Sequence, residues 1–150
     1  MWSKSMGMSI LTYDVIPIPQ ESLDAVGARV VSLDELLRSS DYVTLHVPMT
    51  PDTRHMIGEE RISSMKKGAY LINTSRAGVI DEASLATALA SGHLGGAGLD
   101  VFEAEPPTGP ILTAPNTILT PHIGGQTQEA QESAITSIGE KVRGFFSTSH

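Results

Sequence analysis

Apolar residues gather along the chain into six short β-prone runs, at Met8–Tyr13, Ala28–Val31, Tyr42–Val47, Ala69–Thr74, Gly96–Val101 and Thr117–Leu119. Between them the pattern changes to helical spacing with recognisable start signals. Ser32 and Glu35 form an S-x-x-E capping box ahead of Leu36 and Leu37. Thr50-Pro51 opens a short turn, and Asp81-Glu82 opens the apolar series Leu85, Leu89, which Gly92 and Gly95 then stop. Strands alternating with helical crossovers predict an α/β fold with a doubly wound parallel sheet. The runs are almost continuously apolar, the pattern expected of strands covered by helices on both faces.

The last segment differs in kind. From Thr127 to Phe146, Ala130, Ala134, Ile135, Ile138 and Val142 recur at helical spacing among Gln and Glu. This predicts a closing helix that leaves the sheet and packs elsewhere, so the chain divides into residues 1–126 and 127–150. The Pro-rich stretch from Pro106 to Pro115 reads as a rigid surface loop.

The 150 residues suffice for one domain with a hydrophobic core. With 40% hydrophobic and 18% charged residues, the composition is that of a globular protein without a membrane span. The start carries no long apolar stretch of signal-peptide type. There is no cysteine, hence no disulfide framework or thiolate chemistry, which fits a cytoplasmic location. A net charge of −7 argues against non-specific nucleic-acid binding. An acidic protein that handles an anion does so with a few placed cations, of which Arg76 is the first candidate.

Arg76, Glu105 and His122 each stand just past a predicted strand. Ligands of open parallel sheets bind at the carboxyl ends of strands, so a cation, a carboxylate and an imidazole there can share one pocket. Glu103, two residues away, competes with Glu105 for the carboxylate role. His46, His55, His93 and His150 read as structural or surface residues, and their spacing offers no metal site.

The motifs that hold these residues carry a resemblance. His46-Val47-Pro48-Met49-Thr50-Pro51-Asp52-Thr53-Arg54 is followed by Asn73-Thr74-Ser75-Arg76-Ala77-Gly78-Val79-Ile80-Asp81-Glu82. Next come Asp100-Val101-Phe102-Glu103-Ala104-Glu105-Pro106 and Thr120-Pro121-His122-Ile123-Gly124-Gly125. In this order, over residues 41 to 131, the chain resembles the D-isomer-specific 2-hydroxyacid dehydrogenases. Gly125-Gln126-Thr127-Gln128-Glu129-Ala130-Gln131 is similar to the phosphoglycerate branch, a branch of serine biosynthesis.

The resemblance implies a Rossmann-type fold, NAD as cofactor and a small 2-hydroxy or 2-oxo acid as substrate, D-3-phosphoglycerate first. It implies catalytic roles for Arg76, Glu105 and His122. His122 exchanges the hydroxyl proton, Glu105 orients the imidazole through its other nitrogen, and Arg76 clamps the substrate carboxylate and C2 oxygen. Lys has the charge but not the planar fork. Met8 to Asp14 resembles the family's second strand, whose terminal acid binds the adenosine ribose; Asp14 would repel a 2′-phosphate, which favours NAD over NADP. Val47, Pro48, Thr74, Ser75, Arg76, Asp100 and His122 would line the nicotinamide side, and Gly124 and Gly125 would let backbone approach the cofactor. The resemblance also implies a homodimer when full-length, while the acidic charge and the lack of a long apolar run argue against nucleic-acid and membrane partners.

Three departures from the family pattern shape the expectations. Ala77 stands where Gly is commonest, which is tolerable at negative φ. No G-x-G-x-x-G occurs anywhere in the chain, so the sheet is expected to lack its first strand and glycine-rich loop. The flanking substrate-binding domain is likewise expected to be absent, making residues 1–126 an incomplete NAD-binding domain and 127–150 a helix returning toward the substrate domain. In the order 3-2-1-4-5-6 the first strand is central, so its absence is expected to split the sheet, leave inner edges and impair folding or promote association. A non-catalytic NAD-sensing protein, resembling the corepressors of this family, an inactive truncated copy and a ligand-free structural domain are the alternatives.

Overall fold

The computed structural model describes residues 2–147, with side chains from residue 4. His150 lies outside the described residues. After a single helical turn, α1 (Trp2–Ser5), the chain alternates β1 (Ile10–Thr12), α2 (Gln20–Val26), β2 (Ala28–Val30), α3 (Leu33–Ser39) and β3 (Tyr42–Leu45). It continues through α4 (Glu59–Ser64), β4 (Tyr70–Asn73), α5 (Glu82–Ala90), β5 (Gly96–Leu99) and β6 (Thr117–Leu119), and ends in α6 (Gln128–Ser147). All six predicted strands form, most trimmed at their ends, and every pairing is parallel. The Pro-rich loop contains a 3-10 turn, Pro110–Thr113, whose Ile111 is buried in the core.

The strands fall into two separate pieces, the split expected from the sequence. β1 pairs with β2, and β3-β4-β5-β6 form a separate four-stranded sheet. Among the described residues β1 and β3 therefore each keep one edge without a ladder partner.

Coverage of the sheet differs from the expectation. The apolar runs predict strands covered on both faces, yet β3 alternates exposed and buried positions, and only Val43 and Leu45 reach the core. Register places Val43 beside Leu71 and Leu45 beside Asn73, so these share the core face with Ala97 and Leu99. The opposite face carries Tyr42, stacked on Tyr70 with ring centroids 5.2 Å apart, and Ile118, which stays exposed. Tyr, Thr and Ile have high β-propensity wherever they point, so a run of them does not distinguish a covered face from an open one.

Local signals explain several helix ends. Ser32 caps α3 by accepting the Glu35 N–H at 3.2 Å. The reciprocal half of the capping box does not form, because the Glu35 carboxylate pairs with Arg29 at 3.0 Å. Asp81 caps α5 through the Ser84 N–H at 2.9 Å. Gly92 supplies the stop, with φ of 71°. Gly95 serves packing instead, for a Cβ there would strike the Gly68 carbonyl. Leu85, Ala86, Ala88 and Leu89 of α5 fill the core against Leu71, Ile62 and Leu37. Helix α6 buries none of its residues and leaves Ile135, Ile138, Val142, Phe145 and Phe146 exposed. No described helix is long and apolar enough to cross a membrane.

Candidate active site

Parallel strands deliver their carboxyl ends to one side of the sheet, and the adjacent strands β4, β5 and β6 each end in a segment bearing a candidate residue. Buried Asn73 closes β4 and organises the turn after it. Its Oδ1 accepts the backbone N–H of Ser75 at 3.0 Å and the Ser75 hydroxyl at 2.8 Å, and its Nδ2 donates to the Arg76 carbonyl at 2.9 Å. Thr74 and Arg76 are exposed on this turn, and one guanidinium nitrogen of Arg76 donates to the Ser75 carbonyl at 2.7 Å. Ala77 begins a 3-10 turn and has no positive φ, so its methyl is accommodated.

At the end of β5, Asp100 is only 4% exposed. Its Oδ1 accepts the Thr120 hydroxyl at 2.5 Å and the Ile123 N–H at 2.9 Å, and its Oδ2 accepts the Gly124 N–H at 2.8 Å. Burial alone would push this carboxyl up, but the Thr120, Ile123 and Gly124 donors, with His122 nearby, outweigh it and hold it below the usual range. One buried carboxylate thus ties β5 to both sides of the loop that carries His122. The sequence motif marked Asp100 as a cofactor residue; both of its oxygens are engaged within the chain. The approach at Gly124 is equally internal, since a Cβ there would stand 2.9 Å from Asp100 Oδ2, whereas one at Gly125 would meet nothing.

Held at both flanks, His122 adopts φ of 54°, uncommon for a residue with a side chain. Its Nδ1 lies 3.0 Å from Glu105 Oε1 and 3.2 Å from Oε2. With Glu105 ionised, Nδ1 carries the hydrogen and donates it, and the neutral ring keeps its lone pair on Nε2, ready to accept a proton. The competing carboxylate is spoken for elsewhere, since Glu103 Oε1 lies 2.9 Å from His55 Nε2.

The remaining candidates do not join this pair. Val47 packs half-buried on the core, and the Pro48 carbonyl accepts the Thr53 hydroxyl at 2.7 Å. Asp14, just past β1, accepts the Ile16 N–H at 2.9 Å in an Asx turn. His46 and His93 are engaged locally, with Thr44 and the Ile62 carbonyl. A cavity of about 380 Å³ between α3 and α4 is lined by Asp34, Arg38, Glu59 and Arg61 and contains none of the predicted site residues. Asn73 is the contributor that sequence reading missed, although an Asn closing an apolar run ahead of a Ser was a visible sign of a turn.

Known proteins resemble this chain in both sequence and fold. The family described as "D-isomer specific 2-hydroxyacid dehydrogenase, NAD binding domain" matches residues 2–124. The chain is 47% identical over 143 residues to a D-3-phosphoglycerate dehydrogenase of Methanocaldococcus jannaschii, covering 94% of this chain and 27% of that one. It is 44% identical to a glycerate dehydrogenase of Methylorubrum extorquens, covering 95% of this chain and 44% of the relative. Among solved structures it is similar to a D-lactate dehydrogenase of Aquifex aeolicus complexed with NAD and lactic acid, with a TM-score of 0.86, 40% identity and coverage of 97% and 48%. It spans between about a quarter and a half of the length of these relatives. Matched along most of its length by sequence and by fold, the chain belongs to the NAD-binding domain family of the D-isomer-specific 2-hydroxyacid dehydrogenases.

Proposed function

We propose that this chain supplies the acid/base side of a dehydrogenase that interconverts a D-2-hydroxy acid and its 2-oxo acid, with D-3-phosphoglycerate as substrate. The observation that carries the reading is the His122 Nδ1 to Glu105 contact of 3.0 Å, made by a histidine in a left-handed backbone conformation beside two other strand ends. Strained backbone of this kind persists only where its surroundings enforce it, and it concentrates at working sites. In oxidation His122 Nε2 takes the proton of the C2 hydroxyl, and Glu105 stabilises the resulting imidazolium through Nδ1. Arg76 keeps the rest of its fork available to the substrate carboxylate, which orients C2 and polarises its oxygen.

NAD, when bound, accepts the hydride. The residues present fit its two ends. Asp14 offers a carboxylate at the end of β1 for the ribose, and the exposed Thr74, His122 and Gly125 border the nicotinamide side with Val47 and Pro48. Among the D-3-phosphoglycerate dehydrogenases are relatives at 47% and 44% identity, which supports that substrate and, with it, cytoplasmic serine biosynthesis.

The test is turnover by the protein expressed from its complete reading frame, with NAD and a panel of D-2-hydroxy acids. His122→Asn should retain NAD binding and lose about 10²–10⁴-fold in kcat, the usual size of an acid/base contribution. Full turnover in that variant would sink the proton-transfer role, and preference for another acid would reassign the substrate.

A further inference from the structure

A second histidine–carboxylate pair lies outside the chemistry assigned so far. His55 Nε2 stands 2.9 Å from Glu103 Oε1, joining two segments 48 residues apart in the chain. The His55 segment is fastened to the turn after Arg76. Its backbone N–H donates to the Gly78 carbonyl at 2.7 Å, the Ile57 N–H donates to Val79 at 3.0 Å, and the Asp81 N–H returns to Ile57 at 3.1 Å. Glu103 is gripped a second time, because its backbone N–H donates to Glu82 Oε1 at 2.5 Å. Two residues further on stands Glu105, the partner of His122.

We propose that His55 and Glu103 are positioning residues, a clamp that fixes the Glu105 loop against the Arg76 turn and thereby aims Glu105 at His122 Nδ1. The proposal rests on the acid/base reading of Glu105 and His122.

Backbone strain and charge placement both argue for this role. His55 has φ of 48°, a conformation that a side chain adopts at a cost, and it directs the ring across to the Glu103 loop. Both partners are about 40% exposed. Such pairs add little to folding, so stability alone is a weak reason to keep a strained backbone for one. Asp81 and Glu82, at the start of α5, are the carboxylates that interact with the pair, and Glu59, Glu60 and Arg61 border the same cavity as His55. The Ser84 N–H lowers Asp81 most, and the charge of His55 lowers it further. Burial raises Glu82, the Glu103 N–H opposes that rise, and the Glu103 charge adds to it. Glu82 and Glu103 thus repel at close range, and the 2.9 Å contact with the His55 ring holds Glu103 in place against that repulsion.

The experiment reads the His122 ring by ¹⁵N NMR at a fixed pH where the imidazole is neutral, in the protein expressed from its complete reading frame, as wild type, His55→Asn, Glu103→Ala and Glu105→Ala. Asn tolerates a left-handed backbone, and Glu103→Ala removes the clamp from the other side should His55→Asn fail to fold. The Glu105→Ala spectrum, with no acceptor left for Nδ1–H, defines the uncoupled ring. The proposal expects both clamp variants to move the His122 nitrogens toward that uncoupled position, from mostly Nδ1–H toward mostly Nε2–H, while amides remote from the site stay put. A His122 ring identical to wild type in the clamp variants overturns the clamp and leaves the Glu105–His122 pair standing. A ring unmoved by Glu105→Ala overturns that pair itself, and the clamp with it.

Discussion

Asp100 Oδ2 accepts the backbone N–H of Gly124 at 2.8 Å, at a place where any Cβ on residue 124 would stand 2.9 Å from the same oxygen. Charge-assisted bonds from a buried carboxylate to backbone donors are among the strong ones. This contact fixes how the His122 loop leaves β6.

Gly124→Ala must therefore displace either the carboxylate or the loop. Unfolding free energy is expected to fall by about 1–3 kcal/mol, the cost of leaving a buried acceptor poorly paired. Asp100→Asn is expected to cost a similar amount, because its amide can meet the Thr120 and Ile123 donors with oxygen only by facing Gly124 N–H with nitrogen. Denaturant titration checks both, and an unchanged midpoint would show that the staple contributes nothing.

The same carboxylate sets a pH dependence. Asp100 is held below its ordinary value of 3.8, so the unfolded chain takes up its proton first as pH falls. Its stabilising contribution is complete above that ordinary value and is lost as pH drops through the lower folded value. Unfolding measured down an acid series should therefore steepen below about pH 4 in the wild type, and less so in Asp100→Asn. Parallel acid profiles would contradict the assignment.

Arg76→Lys keeps the charge but loses the planar fork and the tether to the Ser75 carbonyl. In the protein expressed from its complete reading frame, kcat/KM should fall about tenfold or more with the fold intact, through a raised KM and a misoriented C2. Wild-type kinetics in this variant would remove Arg76 from the site.

Strands β1 and β3 each leave an edge without a ladder partner among the described residues. Such edges are templates for pairing with another chain. The chain of 150 residues is expected to self-associate with rising concentration in sedimentation velocity. A single monomeric species across the range, unfolding cooperatively, would argue that the two sheet pieces are self-sufficient.

Strand positions, helix caps and the order of the motifs were legible from the sequence because each rests on local chemistry. Apolar runs, an S-x-x-E box, an Asp before a helix and a Gly after one act over a few residues. The candidates Arg76, Glu105 and His122 were legible for the same reason, each standing in a motif at a strand end. What the sequence by itself determined was a parallel α/β sheet without its glycine-rich loop, and which side chains reach its carboxyl edge.

Only the tertiary structure decided who partners whom. Glu103 and Glu105 are two residues apart in equivalent loop chemistry, and they part company because His55 and His122 arrive from segments 48 and 17 residues away. Glu35 gave up half of its capping box to Arg29 on a neighbouring strand. Asp100, marked by its motif as a cofactor residue, is also the internal anchor of the His122 loop, because three donors from beyond β6 converge on it. The open face of the four-stranded sheet escaped sequence reading because Tyr42, Thr44 and Tyr70 suit a strand equally well on either face. In each case the outcome depends on contacts distant in sequence, which local pattern does not encode.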